Sequence, residues 1–458
     1  GERFLSMGRN GAFGLGLKGI DPSAAPAMEA LIMERLAALA EEGLASEEVE
    51  AALHQLELAR RTISGDRFPF GLDLAMRATE AWLFDQDPLG FLDMGDALER
   101  LRDRVSAPGF WPALIRERFL AWPHRALFIA QPDPDFNRRA TEEEAQRLAQ
   151  RVAELDGSGR AALLREAAEL AERQALEDDP SILPDLELGD VPAERRWVTG
   201  SSPADGLEVF DTATNGILHQ VAALPLPQLS VEELALLPLL SRTVGELGVG
   251  SRDYRAQGAL LNAVSGGLSA WTDLRALPAD LAQVRGFLFL EIRGLARRHG
   301  DFATLAAETL RAQRFDELDR IKEILTQSLS GLQQRVAWSG NELAQAAAER
   351  GFGGRAGLSH DLGGLGQLAW LKAQEARIAA EGRPALEALA GRLAALWARL
   401  GQGPLRLALI GDAAKEAQQQ QRALAAWEGW QRPVERAADH RLSLPSAAPV
   451  PATAYLTA

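Results

Sequence analysis

The chain has 458 residues, 47% of them hydrophobic and 25% charged, with a formal net charge of −15 and a pI near 5.1. That length predicts about two to three domains, each able to bury a core, and the acidity argues against nucleic acid or an anionic membrane surface as the main partner. The sequence contains no cysteine, which excludes disulfides, thiolate metal sites and a cysteine nucleophile.

No apolar run reaches the ~18–20 residues that span a bilayer. The first ten residues, GERFLSMGRN, lack the apolar core and cleavage site of a signal peptide, so a cytoplasmic location is the expectation. Both ends, GERFLSMGRN and PATAYLTA, read as cut rather than finished.

In chain order, residues 11–20 (GAFGLGLKGI) alternate apolar and small residues and predict a strand, with Asp21 and Ser23 as helix caps after it. Met28, Leu31, Ile32, Leu36 and Leu39 give helical periodicity over 26–44. Ser46 opens a second helix with Val49, Leu53 and Leu56 on one face, and helices follow over 71–84 and 92–119. The stretch 124–130, HRALFIA, predicts a strand closed by Pro132 and Pro134. Residues 138–178 are rich in Ala, Leu, Arg, Glu and Gln. Thr141 with Glu144 forms a capping box, and Leu148, Val152, Leu155 and then Leu163, Ala167, Leu170 make two stripes. A tight turn at Asp156-Gly157-Ser158-Gly159 makes this an antiparallel helical hairpin. The stretch LPDLELGDVP (183–192) reads as a linker.

A second domain starts with strands at 207–212 and 216–224, joined by Ala213-Thr214-Asn215 as a hairpin. Ser230 and Glu233 cap a helix that runs to Leu247, and Tyr254–Val264 is a further helix. Strands at 265–271 and 285–295, helices at 302–313 and 316–336, more helices to Leu400 and a strand at 405–411 complete it. Residues 433–458 are proline- and alanine-rich linker. A weak repeat relates LKGI (17–20) to IRGL (292–295), because the same spacing separates Gly19 from Gly65 and Gly294 from Gly340.

The chemistry-bearing motifs are weak. GLGLKG (14–19) matches the dinucleotide pattern G-x-G-x-x-G, but such a site needs a helix directly after the glycine turn. Here the glycines fall in the strand pattern, Asp21 and Pro22 intervene, and Asp21 would repel a phosphate, so a structural strand is the reading and an NAD-dependent enzyme is set aside. The six histidines, His54, His124, His219, His299, His360 and His440, include no pair with helical ligand spacing. His54, beside Leu53 and Leu56, reads as a core-edge or surface residue. There is no G-x-S-x-G, and Asn262 with Ser265-Gly266-Gly267 reads as a helix leaving into a strand. The loop Gly351–Gly357 lacks the lysine of a phosphate-binding loop, and Glu142-Glu143-Glu144 complement a helix dipole. No catalytic, cofactor-binding or metal-ligating residue is predicted.

The ordered stretches LPDLELGDVP (183–192), TNGI (214–217), LGVGSRDYRAQ (247–257), SGGLSA (265–270), LSHDLGGL (358–365) and FGLGLKGI (13–20) together resemble the presequence-protease branch of the pitrilysin/insulinase zinc metallopeptidases. The resemblance spans nearly the whole chain. It implies an α+β fold with two pitrilysin-like α/β-sandwich domains, mostly antiparallel sheet packed by helices, joined by a long helical hairpin. It assigns 1–132 to the later part of the second domain, 133–192 to the hairpin hinge and linker, 193–432 to the third domain and 433–458 to the linker towards a fourth. In the family, zinc is held by a His-x-x-Glu-His helix of the first domain and an Arg/Tyr pair of the fourth binds substrate. This sequence has no His-x-x-Glu-His, and Tyr254 and Tyr455, its two tyrosines, do not match that pair.

The resemblance therefore implies a non-catalytic chamber wall and hinge, with no cofactor in this chain and zinc in the complete protein. The implied partners are a peptide substrate and a catalytic N-terminal half, in cis or in trans, with no nucleic acid and no membrane. The alternative is a stand-alone or split-subunit interaction protein that binds peptides or a catalytic partner without cleaving.

Overall fold

The computed structural model describes every residue except 1, 6–10, 18, 64–68, 91, 93–94, 177–180, 182–184, 186, 195–196, 279, 353 and 431–458. The expected linker at 433–458, His440, Tyr455, the Ser64-Gly65 pair and part of LPDLELGDVP thus lie outside the described residues. The described residues fall into two compact units, one within 1–42 and 112–197 and one within 43–111 and 198–458.

In the first unit, β1 (Glu2–Leu5) and β2 (Ala12–Leu15) pair antiparallel with Phe4 opposite Phe13. The strand expected over 11–20 is therefore shorter, ends at Leu15 and is solvent-exposed. Gly16 and Gly19 of GLGLKG lie beyond it. Gly19 has φ +78°, a conformation open to glycine at no steric cost. Asp21 then caps the 3-10 turn Pro22–Ala24, its Oδ1 accepting the Ser23 N–H at 2.8 Å, and α1 (Ala25–Glu42) follows.

The chain continues through α2 (Ser46–Arg61), α3 (Phe70–Leu83), α4 (Gly95–Val105) and α5 (Phe110–Ile115), the last running into a π-helical stretch, Arg116–Leu120. The helix expected over 92–119 is broken after Val105. Pro108 disfavours helix at the residue before it and Gly109 sits at φ +78°. Residues 124–130 form no strand: alternation specifies a strand only where a neighbour supplies the ladder, and here Phe128 is 88% exposed.

The next helices are α6 (Phe136–Glu154) and α7 (Gly157–Ala175). Asp156 Oδ1 accepts the Gly159 N–H at 2.7 Å and caps α7. Because α6 starts at Phe136, Thr141 lies in its second turn and donates its hydroxyl to the Asn137 carbonyl instead of capping. The expected stripes of both helices, Leu148 and Val152, Leu163 and Leu170, are exposed.

The second unit holds a six-stranded mixed sheet. Its strands are β3 (Ser201–Ala204), β4 (Leu207–Phe210), β5 (Ile217–Pro225), β6 (Leu268–Leu277), β7 (Asp280–Leu295) and β8 (Arg406–Ile410), in the spatial order β3-β4-β8-β5-β7-β6. The expected hairpin at 207–224 does not form. β8 lies between β4 and β5, parallel to the first and antiparallel to the second. The turn is organised from that insertion: the Asp412 carboxylate, just past β8, accepts the backbone N–H of Thr214 and, at 2.8 Å, of Gly216. Asn215 (φ 55°) and Gly216 (φ 78°) make the tight reversal.

Between the strands run α8 (Val231–Thr243) and α9 (Tyr254–Val264), then α10 (His299–Phe302), α11 (Leu305–Ala312), α12 (Leu318–Trp338), α13 (Gly340–Glu349), α14 (Gly354–Gly363), α15 (Leu365–Glu381) and α16 (Arg383–Gly401), with α17 (Ala417–Ala426) last. The capping box of α8 is as expected, Ser230 Oγ accepting the Glu233 N–H at 3.2 Å, although the helix ends at Thr243. The glycine-rich stretch 351–357 is largely helical, within the 3-10 turn Arg350–Phe352 and α14.

Helices pack on one sheet face. In β7 the side chains of Val284, Leu288, Leu290 and Ile292 alternate into the core and meet Leu237, Leu240, Phe302 and Leu393 from the helices. Gly294 lies under Phe302, whose ring carbon would stand 2.6 Å from an added Cβ. Gly19 has open space around it, so the two glycines of the expected repeat are there for different reasons. α2 belongs to this unit: Leu58 packs on Ile217 and Leu295, and Gln55 Nε2 donates to the Asn262 and Ser265 carbonyls at 2.6 and 2.7 Å. Those carbonyls end α9 and have no partner inside the helix. The fold is α+β.

Candidate functional site

The second face of the six-stranded sheet carries the other half of each alternation. On β7 these are Arg285, Phe287, Phe289, Glu291 and Arg293, all part-exposed. On the edge strand β6 they are Trp271, Asp273 and Arg275, with Trp271 40% exposed. Trp271 stands directly opposite Phe289 and stacks on it, ring centroids 5.3 Å apart at 17°, and Phe287 lies 6.0 Å from Phe289. Part-exposed aromatic rings side by side on a sheet face present apolar surface to the outside of the sheet.

Beside the strip, His219 of β5 and Glu291 of β7 share a 2.5 Å contact between Nδ1 and Oε1. The His219 hydrogen bond holds the Glu291 carboxyl below its ordinary value against the opposing effect of burial. Arg275 Nε donates to Asp273 Oδ2 at 2.7 Å, and Arg406 pairs with Glu208 at 3.2 Å. Arg285 Nε is buried without a hydrogen-bond partner. The sequence signal for this face was the run GFLFLEI (286–292): apolar residues at both parities of one strand mean that neither side is simply solvated.

A second cluster surrounds Glu57 on α2, which is 2% exposed. Arg297 clasps it with both terminal nitrogens, at 2.9 and 2.6 Å, while Arg102 and Arg61 donate at 2.7 and 2.9 Å. The Arg297 hydrogen bonds outweigh burial and, with those from Arg102 and Arg61, hold the Glu57 carboxyl well below the usual range. This buried fork ties α2 and α4 to the turn after β7. It offers no free acid or base.

The histidines are scattered. His54 is buried, not at the surface, and burial pushes its pKa down, with Arg298 and Arg297 adding to the effect. His299 is fully buried with its ring nitrogens 2.7 and 2.9 Å from the amide oxygens of Gln220 and Gln419, and burial pushes its pKa down to about 4. Asn262 and Ser265 act through carbonyls and a local hydroxyl bond to Leu261, and the guanidinium groups of Arg255 and Arg320 lie 5.5 and 5.1 Å from the centre of the Tyr254 ring. Among the described residues no group of three or more His, Asp or Glu could hold a metal ion, and no helix is long and apolar enough to cross a membrane.

The model of the family described as peptidase M16 (subfamily C) associated matches residues 131–373, just over half of the chain. The chain belongs to that family. Over 400 residues this peptidase-associated chain is 29% identical to presequence protease 1, chloroplastic/mitochondrial, of Arabidopsis thaliana, covering 82% of this chain and 36% of that relative. It is 25% identical over 374 residues to the mitochondrial presequence protease of Xenopus tropicalis, covering 81% and 36%. The chain thus spans about a third of the length of the curated relatives it matches. Among solved structures, the ferredoxin protease FusC in complex with Arabidopsis ferredoxin aligns at 16% identity over 94% of this chain and 43% of that one, TM-score 0.27. A peptidase M16 inactive domain from Pseudomonas fluorescens aligns at 16% identity over 52% of each, TM-score 0.33.

Proposed function

We propose that this chain is the non-catalytic central portion of a presequence-protease-like zinc metalloendopeptidase that degrades short unfolded peptides, forming chamber wall and hinge. The observation that carries the reading is the family match across 131–373. In this reading 1–132 is the later part of the second pitrilysin-like domain, α6 and α7 within 133–192 are the hinge hairpin, 193–432 is the third domain and 433–458 leads to a fourth. The open aromatic face of the six-stranded sheet supplies the wall that peptides meet.

Zinc and the general base belong, in this reading, to a catalytic N-terminal half in cis or in trans. The donor set of this chain does not suit the ion, because its described histidines and carboxylates do not converge. What the chain contributes is confinement and orientation of the peptide. The test is complementation. The purified chain is mixed with a separately produced presequence-protease half carrying His-x-x-Glu-His, and cleavage of a fluorogenic peptide is followed. Cleavage by the mixture beyond that of the catalytic half alone is expected; a mixture no faster than the catalytic half overturns the proposal.

A further inference from the structure

We propose that the sheet face at β6 and β7 holds an extended peptide by two groups, an aromatic side chain on the Trp271–Phe289 stack and a carboxylate on Arg285. The proposal rests on the reading of this face as peptide-facing and names what it recognises. The argument begins with register. Arg275 and Arg285 stand directly opposite each other on adjacent antiparallel strands, where like charges repel. Arg275 is neutralised by Asp273 at 2.7 Å. Arg285 has no carboxylate partner among the described residues, and its Nε is buried with no hydrogen-bond acceptor. A guanidinium does not shed its proton to escape this, and its planar fork fits a carboxylate. In a chain of net charge −15, an unanswered arginine on an open face marks a place for an incoming anion.

The aromatic requirement follows from the neighbouring residues. Phe287 and Phe289 lie on the same face as Arg285, two and four residues further along β7. At ~3.3 Å per residue a strand-like peptide spans from the guanidinium to the Trp271–Phe289 stack in about 13 Å. Trp271, the most exposed of the three rings, is on the edge strand, where an extended ligand has access. A peptide with a carboxylate and an aromatic side chain four residues apart meets both features at once. The carboxylate is either an acidic side chain or the peptide's own C-terminus.

Fluorescence anisotropy on the full chain tests this with three short labelled peptides. The first carries Phe and Glu four residues apart with an amidated C-terminus, the second carries Phe four residues from a free C-terminal carboxylate, and the third has Gln for Glu and an amidated end. At least one of the first two is expected to bind about tenfold more tightly than the third, and whichever does names the source of the carboxylate. Arg285→Gln is expected to abolish that preference while leaving the third peptide's affinity unchanged, and Trp271→Ala to weaken all three about fivefold. Unchanged circular dichroism and melting in both variants identify the losses as binding losses; should either fail to fold, Arg285→Lys and Trp271→Phe take their place and are expected to retain part of the affinity. Equal affinity for all three peptides, or a preference undiminished in Arg285→Gln (or in Arg285→Lys where that variant replaces it), overturns the Arg285 assignment while the peptide-facing reading stands. Binding of none of them removes that reading as well.

Discussion

At the residue scale, the strongest single determinants are a buried carboxylate and a missing side chain. Replacing Glu57 by Ala leaves three arginines converging on nothing. Breaking a buried ion pair from one side costs about 3–5 kcal/mol, and the part-exposed arginines put this site near the lower figure, about 3 kcal/mol. The pH dependence has a definite sign. The Glu57 carboxyl, ordinarily near 4.5, is held well below that in the fold, so the unfolded chain takes up the proton first. The contribution is complete above about pH 5 and is lost as the pH falls through and below 4.5. Urea titrations across that range should show wild-type stability falling more steeply than that of Glu57→Gln; parallel profiles would contradict the clasp. Gly294→Ala should cost about 1–3 kcal/mol, because the new methyl meets the fully buried Phe302 ring at 2.6 Å. Thermal melts of that variant measure it, and Gly294→Ala with Phe302→Leu should recover part of the loss.

At the element scale, what was legible in the sequence was local. α2, α8 and α9 stand at or near their expected bounds because periodicity and caps lie within each helix. The errors were all of context. HRALFIA has the alternation of a strand and no neighbour to make it one, and the 207–224 hairpin is opened by a strand that arrives almost two hundred residues later and is pinned through Asp412. Nothing in Ala213-Thr214-Asn215 announces that. The Trp271–Phe289 strip was legible only in part: GFLFLEI marks both sides of β7 as apolar, but which β6 residues share a side with Phe289 follows only from the register. Besides α6 and α7, α3 presents an unburied stripe: Leu72, Met76, Trp82 and Leu83 share a face and are 47%, 57%, 72% and 72% exposed. Sedimentation velocity should therefore find concentration-dependent association, weakened in the Trp82→Glu, Leu83→Glu double variant. A monomer at every concentration would contradict this.

At the scale of the whole molecule, the two units differ in kind. In the unit that contains the six-stranded sheet, residues between Leu207 and Trp427 form a continuous apolar core beneath one sheet face, with Leu58 of α2 in a separate small cluster, and the other face carries part-exposed aromatic and arginine side chains. In the other unit, Ala25, Ala40 and Ile115 are the buried apolar side chains among the described residues, while long helices expose their leucines. That distribution is what the proposed reading of the chain as wall and hinge expects, and among the described residues the histidines are scattered and the Glu57 carboxylate is answered by its arginines. The most direct measurement is of the purified chain alone: metal content after zinc dialysis, together with cleavage of an unfolded peptide followed by mass spectrometry. The account predicts less than stoichiometric zinc and an intact peptide. Stoichiometric zinc with zinc-dependent cleavage by this chain alone would contradict it.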